Sequence, residues 1–244
     1  MYDATAKDFD LGMESTEYWW GIAKLRKKMA GMATGDVLES AAGTGRNSEF
    51  YDMGKVRSLV MVDKSQGMLD VCKEKWMKMQ QEKHGWEKKM GFWVEDLAED
   101  NVEWKVFPAV GNLRADGKGE RFDTVIQTMG LCSTNEPEKL LRNLGKLVKP
   151  DGTIVLLEHG MGYYEWINKY LDVQAPEHAK RFGCWWNRDI GAIVEKSGLE
   201  ILNMKRYTLG TTWWFELRRP PNFEDTNDEK EIAPKLKSWW EVWK

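Results

Sequence analysis

VLESAAGTGRN, residues 37–47, is the stretch whose reading decides the fold. Val37 and Leu38 read as the end of a buried strand. An acid follows at Glu39, then small residues, then the turn Gly43-Thr44-Gly45, with a helix start expected at Arg46-Asn47 and a helix running to about Met53. A strand that breaks into a glycine turn brings bare backbone amides close to a bound nucleotide, and a helix start adds a positive end. A second strand, SLVMVD, ends in Asp63, roughly twenty residues on, where a ribose-binding acid sits in nucleoside-binding α/β folds. Strand, turn, helix, strand and acid together point to a nucleoside cofactor.

The dehydrogenase fingerprint requires a third glycine for close helix–strand packing, and Ser48 stands where it would fall. Glu39 would also face phosphate charge in a pyrophosphate site. An acid there suits a cofactor with a positive centre and a free amino group, which describes S-adenosylmethionine. The stretch resembles motif I of the class I methyltransferases, E-x-G-x-G-x-G, through Glu39, Gly43 and Gly45, with Ala41 replacing the first glycine.

Working outward, 244 residues suit one α/β domain with a large core. A net charge of −3, from 36 basic and 39 acidic residues, gives no electrostatic footprint for nucleic acid. Cys72, Cys132 and Cys184 lie far apart, as do His84, His159 and His178, so neither zinc spacing nor a disulfide framework emerges and no metal is expected. No apolar run is long enough to span a bilayer, and no signal peptide precedes the domain, although a natural leader or anchor outside this chain is compatible with its abrupt start. Fourteen tryptophans imply aromatic surface beyond the core.

Tyr18, Ile22, Leu25 and Met29 give residues 14–32 an amphipathic helical period, either packed on the sheet or lying over the cofactor as a lid. Ser65 caps a helix whose apolar face is Met68, Leu69, Cys72, Trp76 and Met79, and His84 follows in a charged linker. A third strand, Gly91–Val94, ends at Glu95-Asp96. Residues 97–120 are the least regular stretch, with Val106-Phe107-Pro108 as a short strand or loop anchor. A fourth strand, Phe122–Gln127, puts Gln127, Thr128, Met129 and Gly130 beside the cofactor, with Leu131, Cys132 and Ser133 near the substrate. Pro137 opens a helix, Pro150-Asp151-Gly152 is a turn, and TIVLLEHG is a fifth, doubly buried strand. Residues 161–186 carry Tyr163, Trp166 and Trp185 and read as a substrate-side lid insertion; Asn187 is the expected cap of the next helix. Residues 199–207 and 211–218 form a terminal antiparallel pair. The domains so read are a helical cap at 1–34, a methyltransferase domain at 35–219 and a tail helix at 220–244. That tail either packs back on the domain or, with Leu236, Trp239, Trp240 and Trp243 on one face, touches a membrane surface.

The runs TMGLCSTNEPEKLLRNLGKLVKPDGTIVLLEHG, GCWWNRD and GTTWW resemble the methyltransferase-like 7 alkyl-thiol methyltransferases, and still more their fungal mitochondrial inner-membrane relatives. YDATAKDFD is similar to the start of ubiquinone/menaquinone C-methyltransferases. The resemblance implies a Rossmann-like α/β fold of seven mostly parallel strands with the last antiparallel, S-adenosylmethionine as methyl donor, and a mitochondrial, membrane-associated protein. It also implies that Asp96 accepts the adenine amino group. The expected cofactor-binding set is Glu39, Ala41, Gly43, Thr44, Gly45, Asn47, Asp63, Lys64, Met68, Asp96, Leu97, Gln127, Thr128 and Met129. The expected substrate pocket is Cys132, Ser133, Tyr163, Trp166, Trp185 and Arg188.

Methyl transfer is an in-line displacement that needs a positioned nucleophile and exclusion of water. A thiol acceptor needs little more, because thiolate forms near neutral pH. A hydroxyl or activated carbon needs a base, for which His159 is the candidate; its alternative is a structural histidine beneath the pocket. These readings give a methyltransferase acting on a small, fairly apolar acceptor, thiol or quinone-like. A cofactor-binding scaffold of a mitochondrial assembly is the rival, and a Rossmann oxidoreductase is disfavoured by Ser48 and Glu39.

Overall fold

The computed structural model describes residues 2–3, 6–10, 12, 20–82, 90–99 and 121–223. The expected short strand at residues 106–108, His84, the first half of the 14–32 helix and the tail beyond residue 223 lie outside them. The first half of the fold is α1 (Ile22–Ala30), β1 (Gly35–Ser40), β2 (Val56–Asp63), α2 (Gln66–Glu82) and β3 (Met90–Val94). The second half is β4 (Phe122–Thr128), α3 (Pro137–Leu147), β5 (Val148–His159), α4 (Glu165–Phe182), α5 (Ile190–Lys196), β6 (Glu200–Tyr207) and β7 (Thr212–Arg218).

The seven strands make one sheet in the order β3-β2-β1-β4-β5-β7-β6. Strands β1 to β5 pair in parallel, and β7 runs antiparallel to both β5 and β6. The chain leaves β1 in one direction for β2 and β3, then returns to its other side at β4. The switch point therefore lies between β1 and β4, where Ser40 is opposite Gln127.

Alternation along β1 shows how the sequence fills both faces. Leu38 joins a core with Val60, Val125, Leu156 and the inner sides of α3 and α5. Val37 points the other way, into a core with Leu59, Met61, Ile126, Trp214 and residues of α1 and α2. With side chains alternating at a period of two, a strand buried on both faces must be apolar throughout. Each fully buried Leu or Met in these layers contributes roughly 1.5–3 kcal/mol relative to exposure.

Three local expectations are corrected. No α-helix follows the glycine turn; residues 48–50 form one 3-10 turn. Asn47, Ser48, Tyr51 and Met53 are buried, and the chain turns extended at Tyr51 (ψ 134°), which ends the turn. Pro150-Asp151-Gly152 is not a turn ahead of β5 but part of it: the strand starts at Val148, opposite Phe122, and its register shifts so that Thr153 is opposite Thr124. Asp189, not Asn187, caps α5, its carboxylate accepting from the Ala192 N–H at 3.0 Å; the Asn187 side chain is drawn to Asp172.

Candidate active site

The carboxyl ends of β1 to β5 open on a cleft of about 1160 Å³, its open mouth included. Glu39 lies at its floor. Burial lifts its carboxyl to about 7, although Oε2 accepts from the Tyr51 hydroxyl at 2.6 Å and Oε1 from the Asn47 amide at 3.0 Å. Arg26 reaches in from α1 to donate to the Asn47 carbonyl at 3.0 Å. An arginine in an apolar helical stripe reads from sequence as a break in the pattern; here its guanidinium orients the residue that orients Glu39.

The turn after β1 is built from left-handed backbone at Ala41 (φ 50°), Gly43 (φ 54°) and Gly45 (φ 73°). The two glycines differ. A Cβ at Gly43 would meet nothing within 4 Å, because this backbone faces the cleft. A Cβ at Gly45 would stand 2.5 Å from the Cys72 sulfur, so this glycine packs the turn against α2. Gly45 and Asn47 accordingly lie behind the cleft wall, while Ala41, Gly43 and Thr44 line it.

At the end of β2, burial raises the Asp63 carboxyl, while N–H donors from Ser65 (2.9 Å) and Gly43 (2.8 Å) oppose the rise. Each oxygen accepts one backbone bond, which fixes the carboxylate plane and leaves lone pairs facing the cleft. Lys64, Met68, Asp96 and Leu97 complete this side, with Asp96 braced by the Ala98 N–H at 3.0 Å. A glycine backbone facing open space, flanked by three strand-end carboxylates, fits a nucleoside with a ribose diol and an amino group.

After β4, Thr128, Met129, Gly130 and Ser133 line the cleft, but Gln127 and Cys132 turn inward. The Gln127 amide lies between the Ser40 hydroxyl (3.1 Å) and the Glu158 carboxylate (3.0 Å). Glu158 also accepts from the N–H groups of Gly130 and Leu131, and burial lifts its carboxyl to about 7. Its neighbour His159 faces the cleft together with Cys184, their Nδ1 and Sγ atoms 3.9 Å apart.

The aromatic pocket is built differently from expectation. Helix α4 buries Ile167, Leu171 and Ala175, at i, i+4 and i+8. Trp166 is one position off that stripe and points outward, 67 % exposed; Tyr163 and Trp185 are also on the outside. Arg188 is spent on the Leu131 carbonyl at 2.6 Å. The cleft instead takes His178 and Phe182 from the end of α4. Burial lowers the His178 imidazole below its ordinary value; its ring is stacked 3.7 Å from Trp186 and its Nδ1 lies 2.8 Å from the Cys184 carbonyl oxygen.

The amino-terminal residues also reach the site, although the sequence offered a lid only in the helix of residues 14–32. Tyr2 and Phe9 line the cleft, and the Tyr2 hydroxyl donates to the Phe182 carbonyl at 3.3 Å. Asp3 accepts from the Ser65 hydroxyl and the Gly67 N–H. Burial alone would raise Asp10, but hydrogen bonds from Lys75 and Thr44 hold it below its ordinary value. An acid pinned at each end of this segment is the signal that could have revealed the arrangement.

Comparison with known proteins accords with this geometry. A family described as a methyltransferase domain matches residues 21–203. Methyltransferase OMS1, mitochondrial, of Saccharomyces cerevisiae is 38 % identical over 220 residues, which cover 89 % of this chain and 45 % of that protein. A demethylmenaquinone methyltransferase of Streptomyces griseus is 29 % identical over 65 % of this chain and 58 % of its own length. The chain thus spans about half the length of these relatives. A chain of the complex between the Haloferax volcanii Trm112 methyltransferase activator and a methyltransferase superposes with a TM-score of 0.62, covering 90 % of this chain and 98 % of that one at 15 % identity.

Proposed function

The chain belongs to the S-adenosylmethionine-dependent methyltransferases, and from that premise we propose that its cleft transfers a methyl group to a small, fairly apolar acceptor, thiol or quinone-like. The observation that carries this reading is the convergence of Glu39, Asp63 and Asp96 on the cleft side that Gly43 faces, with His159 among apolar side chains on the other. S-adenosylmethionine, when bound, supplies a methyl group on a positively charged sulfur.

The chain's own residues then divide the work. Glu39 offers a carboxylate to an ammonium group, and binding a cation there favours its ionised form over the protonated form that burial promotes. Asp63 accepts from the ribose hydroxyls and Asp96 from the adenine amino group. Ala41, Gly43 and Thr44 form the wall beside the nucleoside; Thr128 and Met129 flank the methionine portion. On the acceptor side Ser133, Phe182 and Cys184 shape the pocket, and His159 takes the proton that a hydroxyl or carbon acceptor loses as its bond to methyl forms. A thiol acceptor arrives partly ionised and leans less on His159. Helix α4 and the segment carrying Tyr2 and Phe9 act as the covers that exclude water.

The demethylmenaquinone methyltransferase relative supports the quinone-like end of this range, and OMS1 supports a mitochondrial setting. The decisive experiment is calorimetric titration with S-adenosylhomocysteine of the wild type and Asp63→Ala, followed by methyl-transfer assays on a panel of thiols and demethylated quinols. Loss of a charge-assisted contact should cost on the order of 1.5–3 kcal/mol, at least tenfold in affinity. Absence of wild-type binding sinks the reading; binding without transfer to any acceptor moves the scaffold reading ahead.

A further inference from the structure

Cys132 and Cys184 are 52 residues apart, yet the Cys184 thiol donates to the Cys132 sulfur across 2.9 Å. Cys132 belongs to the turn after β4, and Cys184 follows Gly183, the left-handed residue that ends α4. The two loops are already joined by the backbone bond from Trp185 N–H to the Cys132 carbonyl, 2.8 Å. Both cysteines are free and buried; Cys184 lines the cleft, whereas Cys132 is shut off behind it. Two apolar residues would pack this contact as well, so packing does not require sulfur on both sides.

We propose that Cys132 and Cys184 form a reversible oxidation site, in which a peroxide entering the cleft converts the pair to a disulfide that pins the end of α4 to the turn after β4. Cys184, the cleft-facing member, attacks one peroxide oxygen; the O–O bond breaks, giving Cys184 sulfenic acid and one water. The Cys132 sulfur then displaces the sulfenic hydroxyl, forming the S–S bond and releasing the second water. Two thiols lose two protons and two electrons, and one peroxide becomes two waters. The sulfurs close from 2.9 Å to about 2.05 Å, a shift that neighbouring loops already in contact accommodate. His159, its Nδ1 3.9 Å from the Cys184 sulfur, is an imidazole positioned to take the thiol proton once it turns away from Cys132. Its own hydrogen bond and burial hold the Cys184 thiol well above its ordinary value, so the thiol must pass its proton to a neighbour as the sulfur attacks.

The chemistry does not depend on the proposed methyl transfer; its consequence does. Cross-linking fixes Phe182 and Cys184 on the acceptor side and leaves Glu39 and Asp63 untouched, so S-adenosylhomocysteine should bind the oxidised protein within threefold of the reduced affinity while transfer falls at least tenfold and recovers with dithiothreitol.

The test is to treat the reduced chain with hydrogen peroxide, alkylate under denaturing conditions and map the peptides. The expected result is one alkylated cysteine, Cys72, and a peptide joining Cys132 to Cys184. Hydrogen exchange should slow at least tenfold at residues 183–186. Cys132→Ser and, should that variant not fold, Cys184→Ser should form no such peptide. Three alkylatable thiols after peroxide, a bridge involving Cys72 or a second chain, or over-oxidised sulfur without the bridge each overturns the proposal. Reduced protein that transfers no methyl group would count against the proposed function and leave the mapped bridge standing.

Discussion

Asn47 donates to Glu39 at 3.0 Å and, from the same amide nitrogen, to Thr128 at 3.0 Å, so one side chain ties the ends of β1 and β4 together at the switch point. With its carbonyl accepting from Arg26, the amide is satisfied on both sides and the buried acid is held in one orientation. Asn47→Ala should destabilise the chain by about 1–3 kcal/mol, since it strips donors from two buried acceptors. Urea denaturation at fixed pH measures this, and an unchanged midpoint would refute the linchpin role.

Gly43 and Gly45 should respond differently to the same methyl group. Left-handed backbone costs an L-residue roughly 1–2 kcal/mol at either position. Gly45→Ala adds a clash with Cys72 and should lose stability first, whereas Gly43→Ala pushes its methyl into the cleft and should weaken S-adenosylhomocysteine binding beyond its effect on stability. Melting temperature and calorimetry run on both variants separate the two; equal profiles would contradict the assignment.

Ala41 holds a left-handed conformation that glycine adopts freely. Ala41→Gly should relieve about 1 kcal/mol of backbone strain, offset in part by the added freedom of the unfolded chain. The net change expected is a small gain in stability by thermal melting, and a loss above 1 kcal/mol would show that the alanine methyl packs productively.

Burial lifts both Glu39 and Glu158 from an ordinary value of 4.5 to about 7. Between those limits the folded chain holds protons that the unfolded chain has released, so their stabilising protonation is fully present below 4.5 and lost as pH rises through 7. Each contributes on the order of 3 kcal/mol across that window. Asp10 and Asp36, held below their ordinary values, work in the opposite sense, their contribution vanishing as pH falls into the acid range. Stability should therefore fall from pH 5 to pH 8, with a shallower slope in Glu158→Gln; denaturant midpoints across that range that stay flat in the wild type would disprove it.

His159→Ala should leave S-adenosylhomocysteine affinity within threefold and slow transfer to acceptors that must lose a proton by about 10²–10⁴. Thiols should suffer least. Single-turnover rates on matched thiol and hydroxyl acceptors decide; an equal loss on both would make His159 a positioning residue.

The cleft side that holds Glu39, Gly43 and Asp63 was legible because its signals are local in spacing. Glu39, Gly43 and Asp63 are tied by a strand, a turn and the next strand end, and parallel pairing of β1 with β2 leaves them little choice but to meet. The helix expected after the turn is a single 3-10 turn at residues 48–50, bracketed by Asn47 and Tyr51, which both reach Glu39. The opposite side was legible only at His159 and Ser133, because the rest of it is assembled from ends. Tyr2, His159 and the stretch from His178 to Cys184 come from three distant segments, and a one-position rotation on α4 decides that Phe182 faces the cleft while Trp166 faces outward.

By itself, then, the sequence determined the strands and the acids at their ends, since hydrophobic alternation and a glycine turn act over a few residues. Only the tertiary structure decided which aromatics enclose the cleft, that Arg26 and Asn47 brace Glu39, and that two cysteines 52 residues apart lie 2.9 Å from each other. Those contacts depend on how loops from separate crossovers pack at one sheet edge, and no local period encodes that.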